Sequence, residues 1–178
     1  MLHFSLMNRK KIFIAIGVFW LAVIGGFFGF NAFTSLTGKE VVLKIHPVDP
    51  RDLFRGDYVR LGYDISTIDL RVISSDGQRF HPRDTVYVAL DTSGAVAVPT
   101  RVSRNQPADG LAIRGVVTEA MPERLQVEYG IESYFLPEHK GLDLQRRLNE
   151  TTAVVAVDSR GHAVLKSLLQ NGTKITFK

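Results

Sequence analysis

The chain has 178 residues and no cysteine, which excludes disulfide bonds, thiolate metal ligands and a cysteine nucleophile. Its length is typical of a single domain. Three of the 22 Lys and Arg residues, Arg9, Lys10 and Lys11, precede a long apolar segment. The rest of the chain has the other 19 basic residues and all 18 Asp and Glu, so its net charge is close to zero. Because those remaining charges are interleaved, the sequence lacks the basic patch that is typical of nucleic-acid-binding proteins.

Residues 12–33 form an apolar segment with no charged side chain over 22 positions. A helix of this length spans about 33 Å, enough to cross a hydrocarbon core of roughly 30 Å. We expect an uncleaved anchor, because a signal peptide has a shorter apolar region and small residues at its cleavage site. The preceding basic cluster predicts that residues 1–11 form a cytoplasmic tail in a single-pass protein of the cytoplasmic (inner) membrane, with an extracytoplasmic, periplasmic domain.

Gly25 and Gly29 lie four residues apart within this segment. This GxxxG spacing lets two membrane helices approach closely, which favours a homo-oligomer formed through the transmembrane helix. Glycine is also common in isolated spanning helices, so a simple anchor is the alternative interpretation.

Residues 34–40 are small and polar, and we expect them to form a linker to a domain over 41–178. In that domain apolar residues alternate in short segments rich in Val, Ile and Tyr, which predicts about eight strands in a barrel- or sandwich-like fold. Loops at DTSGA and DSRGH predict hairpins, the second of them over residues 152–169. The leucine spacing in residues 138–150 predicts a short amphipathic helix.

The stretch DPRDLFRG predicts one helical turn. Asp49 suits the N-cap and Pro50 the first helical position, and Gly56 can end the turn in a left-handed conformation. From Asp57 to Ile65 the chain alternates between apolar and polar residues, which predicts one continuous, half-buried strand. This corner either serves only to direct the chain into the sheet or presents its arginines to a partner or an anion.

Two separated motifs give this chain a family resemblance. The first is GDYxxLxY at Gly56, Asp57, Tyr58, Leu61 and Tyr63, after a lead-in with Asp49, Pro50, Arg51 and Arg55. The second is YGIExY at Tyr129, Gly130, Ile131, Glu132 and Tyr134. On these residues the chain resembles the family of bacterial membrane-anchored proteins named for GDYxxLxY. The resemblance implies placement at a membrane and association with a polytopic membrane protein, and it implies no particular reaction.

Catalytic patterns are weak in this sequence. The five histidines have no metal-ligand spacing, and neither GxxxxGK[ST] nor GxGxxG occurs. Relative to signal-peptidase-like serine proteases, Val48 occupies the position of the nucleophile, so a related fold would be catalytically degenerate. A carboxylate pair such as Asp57 and Glu132 is the other enzymatic option, because glycan cleavage needs two acids. The aromatic residues of YGIESYF predict either core packing or an exposed interface anchor.

We therefore expect a mainly β, non-catalytic envelope protein with one transmembrane helix and one or two short helices, without cofactor or metal. Its domain would bind or help to assemble an integral membrane or envelope protein; the alternative is an envelope hydrolase or degenerate signal-peptidase-like domain acting on peptide or glycan. The candidate partner-binding residues are Arg51, Arg55, Asp57, Tyr58, Arg60, Glu132 and Tyr134. The candidate structural residues are Asp49, Pro50, Gly56, Leu61, Tyr63, Tyr129 and Gly130.

Overall fold

The computed structural model describes residues 6–46, 58–77, 79–135 and 151–175. The chain divides into two compact units, Met1–Phe33 and Thr34–Lys178. Several sequence predictions fall outside the described residues: the helical turn with Asp49, Pro50 and Gly56, the partner-binding candidates Arg51, Arg55 and Asp57, and the helix over 138–150. Those predictions remain predictions.

The first element is a long apolar helix, α1, over Leu6–Thr37. Its Lys10–Thr37 part is long and apolar enough to cross a membrane as an anchor, although a signal sequence has the same character. The helix extends past the predicted 12–33 at both ends, and only Gly38 separates it from the first strand. Residues 34–40 therefore do not form the predicted linker. Thr34 is buried, and its hydroxyl donates to Asp158 Oδ2 at 3.2 Å, so the last helical turn is part of the folded domain.

The described residues of the domain form thirteen strands and a 3₁₀ turn over Asp64–Ser66. The first seven strands are β1 (Lys39–His46), β2 (Tyr58–Arg60), β3 (Gly62–Tyr63), β4 (Thr67–Asp69), β5 (Ser74–Ser75), β6 (Thr85–Asp91) and β7 (Val98–Ser103). The others are β8 (Leu111–Ala120), β9 (Arg124–Glu128), β10 (Ser133–Phe135), β11 (Thr151–Val157), β12 (Ala163–Gln170) and β13 (Thr173–Lys174). The predicted mainly β fold is confirmed.

The strands form three sheets around one hydrophobic core. One sheet has the order β13-β12-β11-β1-β3, a second has β4-β9-β8-β6-β7-β5, and β2 pairs with β10 alone. The outer strands β4 and β5 of the six-stranded sheet are joined by residues 70–73 only. Four extended residues can bridge at most about 18 Å, so this sheet must curl until its two edges approach each other. The domain therefore has a barrel-like half.

Most predicted strands are present because alternating apolar residues cover the core. In β1, for example, Val41, Leu43 and Ile45 are buried. The final hairpin is confirmed: β11 and β12 pair in antiparallel register, and Gly161 takes a positive φ of 81° in the turn between them.

The prediction of one continuous strand from residue 57 to residue 65 is wrong. The described part breaks at Leu61, because β2 pairs with β10 and β3 pairs with β1. Leu61 donates its N–H to the carbonyl of Glu132 at 2.7 Å, at the point where the chain changes partners. The predicted burial is nevertheless observed, since Val59, Leu61 and Ile65 face the core.

Gly115 marks the closest approach between β8 and β9. A Cβ atom at this position would lie 2.9 Å from both the Glu128 carbonyl oxygen and Tyr129 Cδ1, and closer still to Val127 Cγ1. Two of these three atoms belong to side chains that are themselves buried, so the contact can be relieved only by moving the core.

We predict that Gly115→Ala lowers the free energy of unfolding by about 1–3 kcal/mol through overpacking. Gly94→Ala is the matched control, because its Cβ would meet only the Val96 carbonyl oxygen at 3.6 Å. The control should stay within about 0.5 kcal/mol of the parent. Urea unfolding of the full chain in detergent, followed by circular dichroism, measures both. Equal stabilities for the two variants would contradict the close packing of β8 on β9.

Candidate functional site

The two sequence motifs are neighbours in the fold. Strand β10, from the second motif, pairs antiparallel with β2, from the first, so that Ser133 lies opposite Arg60 and Phe135 opposite Tyr58. Leu61 and Tyr63, which complete the first motif, are buried in the core immediately after β2. The domain thus brings together two short segments that are far apart in sequence.

Two tyrosines join these segments by reciprocal hydrogen bonds. The Tyr63 hydroxyl donates to the carbonyl of Ile131 at 2.7 Å. The Tyr129 hydroxyl donates to the carbonyl of Ile65 at 2.5 Å. Each phenol therefore donates a hydrogen bond to a buried carbonyl that lies two residues along the chain from the other tyrosine. A hydrophobic side chain could not supply this donor. We refer to Tyr63, Tyr129, Ile65 and Ile131 as the tyrosine interlock.

The turn between the second tyrosine and β10 is shaped by Gly130 and Glu132. Gly130 has a φ of 80°, a conformation that favours glycine. Glu132 Oε1 accepts the N–H of Tyr129 at 2.6 Å, which closes the turn on itself. These two residues thereby hold the Ile131 carbonyl where the Tyr63 hydroxyl reaches it. Glu132, a candidate for partner binding, is thus engaged through its carboxylate in a contact within the turn.

Burial controls the chemistry of the interlock. Removal from water raises the pKa of Tyr63 and Tyr129 well above the ordinary value for a phenol, and the nearby Glu132 carboxylate raises both further. Both hydroxyls therefore remain protonated donors at neutral pH. In this state each hydroxyl can donate its hydrogen bond to a backbone carbonyl.

The pairing of β2 with β10 places the remaining described side chains. Arg60 is exposed and forms an ion pair with Glu128 on β9. Such an exposed pair contributes at most about 1 kcal/mol. Tyr134 is half-buried, whereas the Phe135 ring is 76% exposed. Tyr134 lies opposite the buried Val59 and packs against the core. We call Arg60, Glu132 and Phe135 the motif face.

The aromatic residues of YGIESYF therefore divide between the two predicted roles. Tyr129 belongs to the core and Tyr134 packs against it, whereas Phe135, which follows the motif, projects from the motif face. The strand alternation at this point gave no signal for that difference, because β10 has only three residues.

Two segments outside the described residues attach beside the motif face. Residues 47–57 directly precede Tyr58, and residues 136–150 directly follow Phe135. Tyr58 and Phe135 lie opposite each other in the β2–β10 pair. Arg51, Arg55 and Asp57 belong to the first segment, so their role in partner binding stays a prediction. The pairing of Asp57 with Glu132 as two catalytic acids stays a prediction for the same reason.

Two further candidates can be placed. Gly25 and Gly29 lie in α1, where a Cβ on either would meet nothing within 4 Å among the described residues, so packing within this chain does not require glycine there. Over the described ranges, no group of three or more His, Asp or Glu side chains could hold a metal ion.

A family model described as "GDYXXLXY protein" matches residues 20–168. The chain belongs to the GDYXXLXY family. The matched region contains both motifs, all four residues of the interlock and the whole described part of the curled sheet. No curated protein and no solved structure matches the chain significantly. In this GDYXXLXY protein the last two letters of the family signature, Leu61 and Tyr63, are core residues rather than surface residues.

The interlock predicts a specific loss of stability. Tyr63→Phe and Tyr129→Phe each leave a buried carbonyl without its donor, and each should lower the free energy of unfolding by about 1–3 kcal/mol. Urea unfolding of the full chain in detergent measures this.

Tyr87→Phe is the matched control. Tyr87 is half-buried in β6, and its hydroxyl makes no hydrogen bond to the part of the chain that the structure describes. Its removal should change the free energy of unfolding by less than about 0.5 kcal/mol. Losses of the same size in all three variants would show that the two interlocked hydroxyls have no special role.

Proposed function

We propose that this GDYXXLXY protein is a membrane-anchored, non-catalytic domain that binds or helps to assemble an integral membrane or envelope protein through its motif face. The observation that carries the proposal is the tyrosine interlock. Tyr63 of the signature and Tyr129 of the second motif use their hydroxyls to hold backbone carbonyls, and the exposed Phe135 lies on β10 immediately outside them. A signature used in this way supports presentation of a surface better than it supports a reaction.

The proposed placement rests on α1 and on the charges near its start. An uncleaved α1 would anchor the chain in the cytoplasmic membrane, and Arg9, Lys10 and Lys11 favour a cytoplasmic N-terminus. The domain would then be extracytoplasmic, periplasmic in a cell with two membranes. Gly25 and Gly29 give α1 a surface on which a second helix can pack, either from another copy or from the partner.

The proposed contact has the composition of an interface centre. Aromatic residues and arginine are enriched at such centres, and the motif face has Phe135 and Arg60. Phe135 is 76% exposed at the end of a three-residue strand, and large exposed apolar side chains are frequent in protein interfaces. Arg51, Arg55 and Asp57 would extend the same contact along the chain.

The absence of cysteine allows one experiment to test both placement and contact. Phe135→Cys in the full chain, expressed in its native membrane, is treated in intact spheroplasts with a membrane-impermeant maleimide that carries a photo-crosslinker. We predict that Cys-specific labelling occurs without lysis, because the domain is extracytoplasmic. Irradiation should then give one adduct of defined mass, which mass spectrometry identifies as an envelope or membrane protein.

Val116→Cys is the matched control, because Val116 is also an exposed apolar residue, 42% exposed on β8, but lies outside the motif face. It should be labelled equally and give no defined adduct. Labelling of either variant only after lysis would contradict the proposed orientation. Equal labelling without an adduct from position 135, or with the same adduct from both positions, would contradict the proposed contact.

A further inference from the structure

The mouth of the barrel-like half contains a groove that neither motif contributes to. It has a volume of about 720 Å³ and lies between the β8–β9 turn and residues 70–81. Its apolar lining includes Leu70, Phe80, Leu125 and Met121. Phe80 and Leu125 belong to the core, so the groove has a fixed apolar floor. Barrel mouths of this kind are frequent ligand sites.

One rim of the groove is cationic and held in place. Arg79 and His81 line it and are both exposed. Arg104 stacks over the Phe80 ring, 5.9 Å from its centroid, and donates to the Arg79 carbonyl. A rim whose backbone is already fixed in this way loses little entropy when a ligand binds.

The acids near this rim are committed to other groups. Asp84 Oδ2 accepts the His81 N–H at 2.8 Å and Arg104 Nη2 at 2.7 Å. Asp76 Oδ2 accepts the Arg104 N–H at 3.0 Å. Arg79, by contrast, forms no salt bridge with any residue in the described ranges. Its positive charge at the groove edge is therefore available to an external anion.

The cleft on the other side of the β8–β9 turn differs from the groove in its lining residues and in the pairing of its charges. It contains Arg71, but that guanidinium is bound by Asp69 at 2.7 Å and lies 3.4 Å from Glu123. The same arginine bond holds the pKa of Asp69 at about 2, so the pair stays ionised. Arg124, which also lines this cleft, forms no salt bridge within the described ranges, but none of the residues that line this cleft is buried. Of the two clefts, only the one on the Phe80 side therefore places an unpaired arginine beside a floor of core side chains.

We infer that this groove binds a peptide segment in which an apolar side chain stands beside an acidic one. The apolar side chain would contact Leu70, Phe80 and Leu125, and the carboxylate would pair with Arg79. A peptide suits the site better than a lipid, because the groove is open and polar along one rim, whereas an acyl chain needs apolar walls along its length. The inference rests on the proposed function, since it gives the chemistry of a segment of the partner.

The test uses the full chain in nanodiscs of phosphatidylcholine and a display library of random 12-residue peptides. We expect the selected peptides to share an apolar residue next to Asp or Glu. The consensus peptide, synthesised with a fluorophore, should bind Arg79→Glu at least about tenfold more weakly than the parent, because a charge pair becomes a repulsion. Ser75→Trp, which fills the groove without changing charge, should also abolish binding.

Arg114→Glu is the matched control, because Arg114 is exposed on β8 away from the groove and undergoes the same change of charge. Its affinity should stay within about twofold of the parent. The inference is overturned if no peptide is enriched, or if the selected peptide binds the Arg79→Glu and Ser75→Trp variants as well as the parent. It is also overturned if dioleoylphosphatidylglycerol in the nanodisc displaces the peptide, which would identify an anionic lipid as the occupant.

Failure of this inference can be distinguished from failure of the proposed function. If Arg79→Glu, combined with Phe135→Cys, still gives the partner adduct in membranes, the partner is bound without the groove, and the peptide assignment falls alone. If peptides bind at Arg79 but position 135 gives no adduct, the groove binds its ligand and the contact proposed for the motif face is wrong.

Discussion

The structure depends on a constraint that applies to every buried backbone carbonyl: it needs a donor. Where β2 ends and the chain changes partners, the regular ladder no longer supplies one. Two tyrosine hydroxyls supply the donors instead. Tyr63 donates to the Ile131 carbonyl at 2.7 Å, and Tyr129 donates to the Ile65 carbonyl at 2.5 Å. Tyrosine suits both positions, because it places a hydroxyl donor at the tip of a long, otherwise apolar side chain. In this chain the last tyrosine of the family signature therefore meets a hydrogen-bonding need of the core.

Much of the fold could be predicted from the sequence, because half-buried strands and a membrane-length helix leave periodic patterns. Strand β6 follows from alternation, and β11 follows from a short run of Ala and Val between polar residues. The break at Leu61 could not be predicted, since the same residues face the core whether the strand continues or exchanges its partner. The two-residue strands β3 and β5 are too short to carry a pattern. The end of α1 was missed because Thr34 is held by Asp158, a contact between distant residues.

The candidate site is likewise only partly predictable from the sequence. The motif spacing marks Tyr63 and Tyr129 as structural residues, but their hydrogen bonds to Ile131 and Ile65 depend on the meeting of β2 and β10. Phe135 was recognised as aromatic without any indication of its exposure. Arg79 was not singled out, because one arginine in a loop resembles any solvated residue until its neighbours are known. Together these features describe a rigid frame with two surfaces, an aromatic face outside the interlock and a cationic groove at the barrel mouth.

The most direct test of the interlock is hydrogen–deuterium exchange of the full chain, read by mass spectrometry over residues 58–66 and 128–135. If the two phenols couple these segments, Tyr63→Phe must accelerate exchange in both, including the distant segment that retains its own tyrosine. Tyr87→Phe should accelerate neither. Faster exchange confined to residues 58–66 would contradict the account, because the two motifs would then be neighbours that do not stabilise each other.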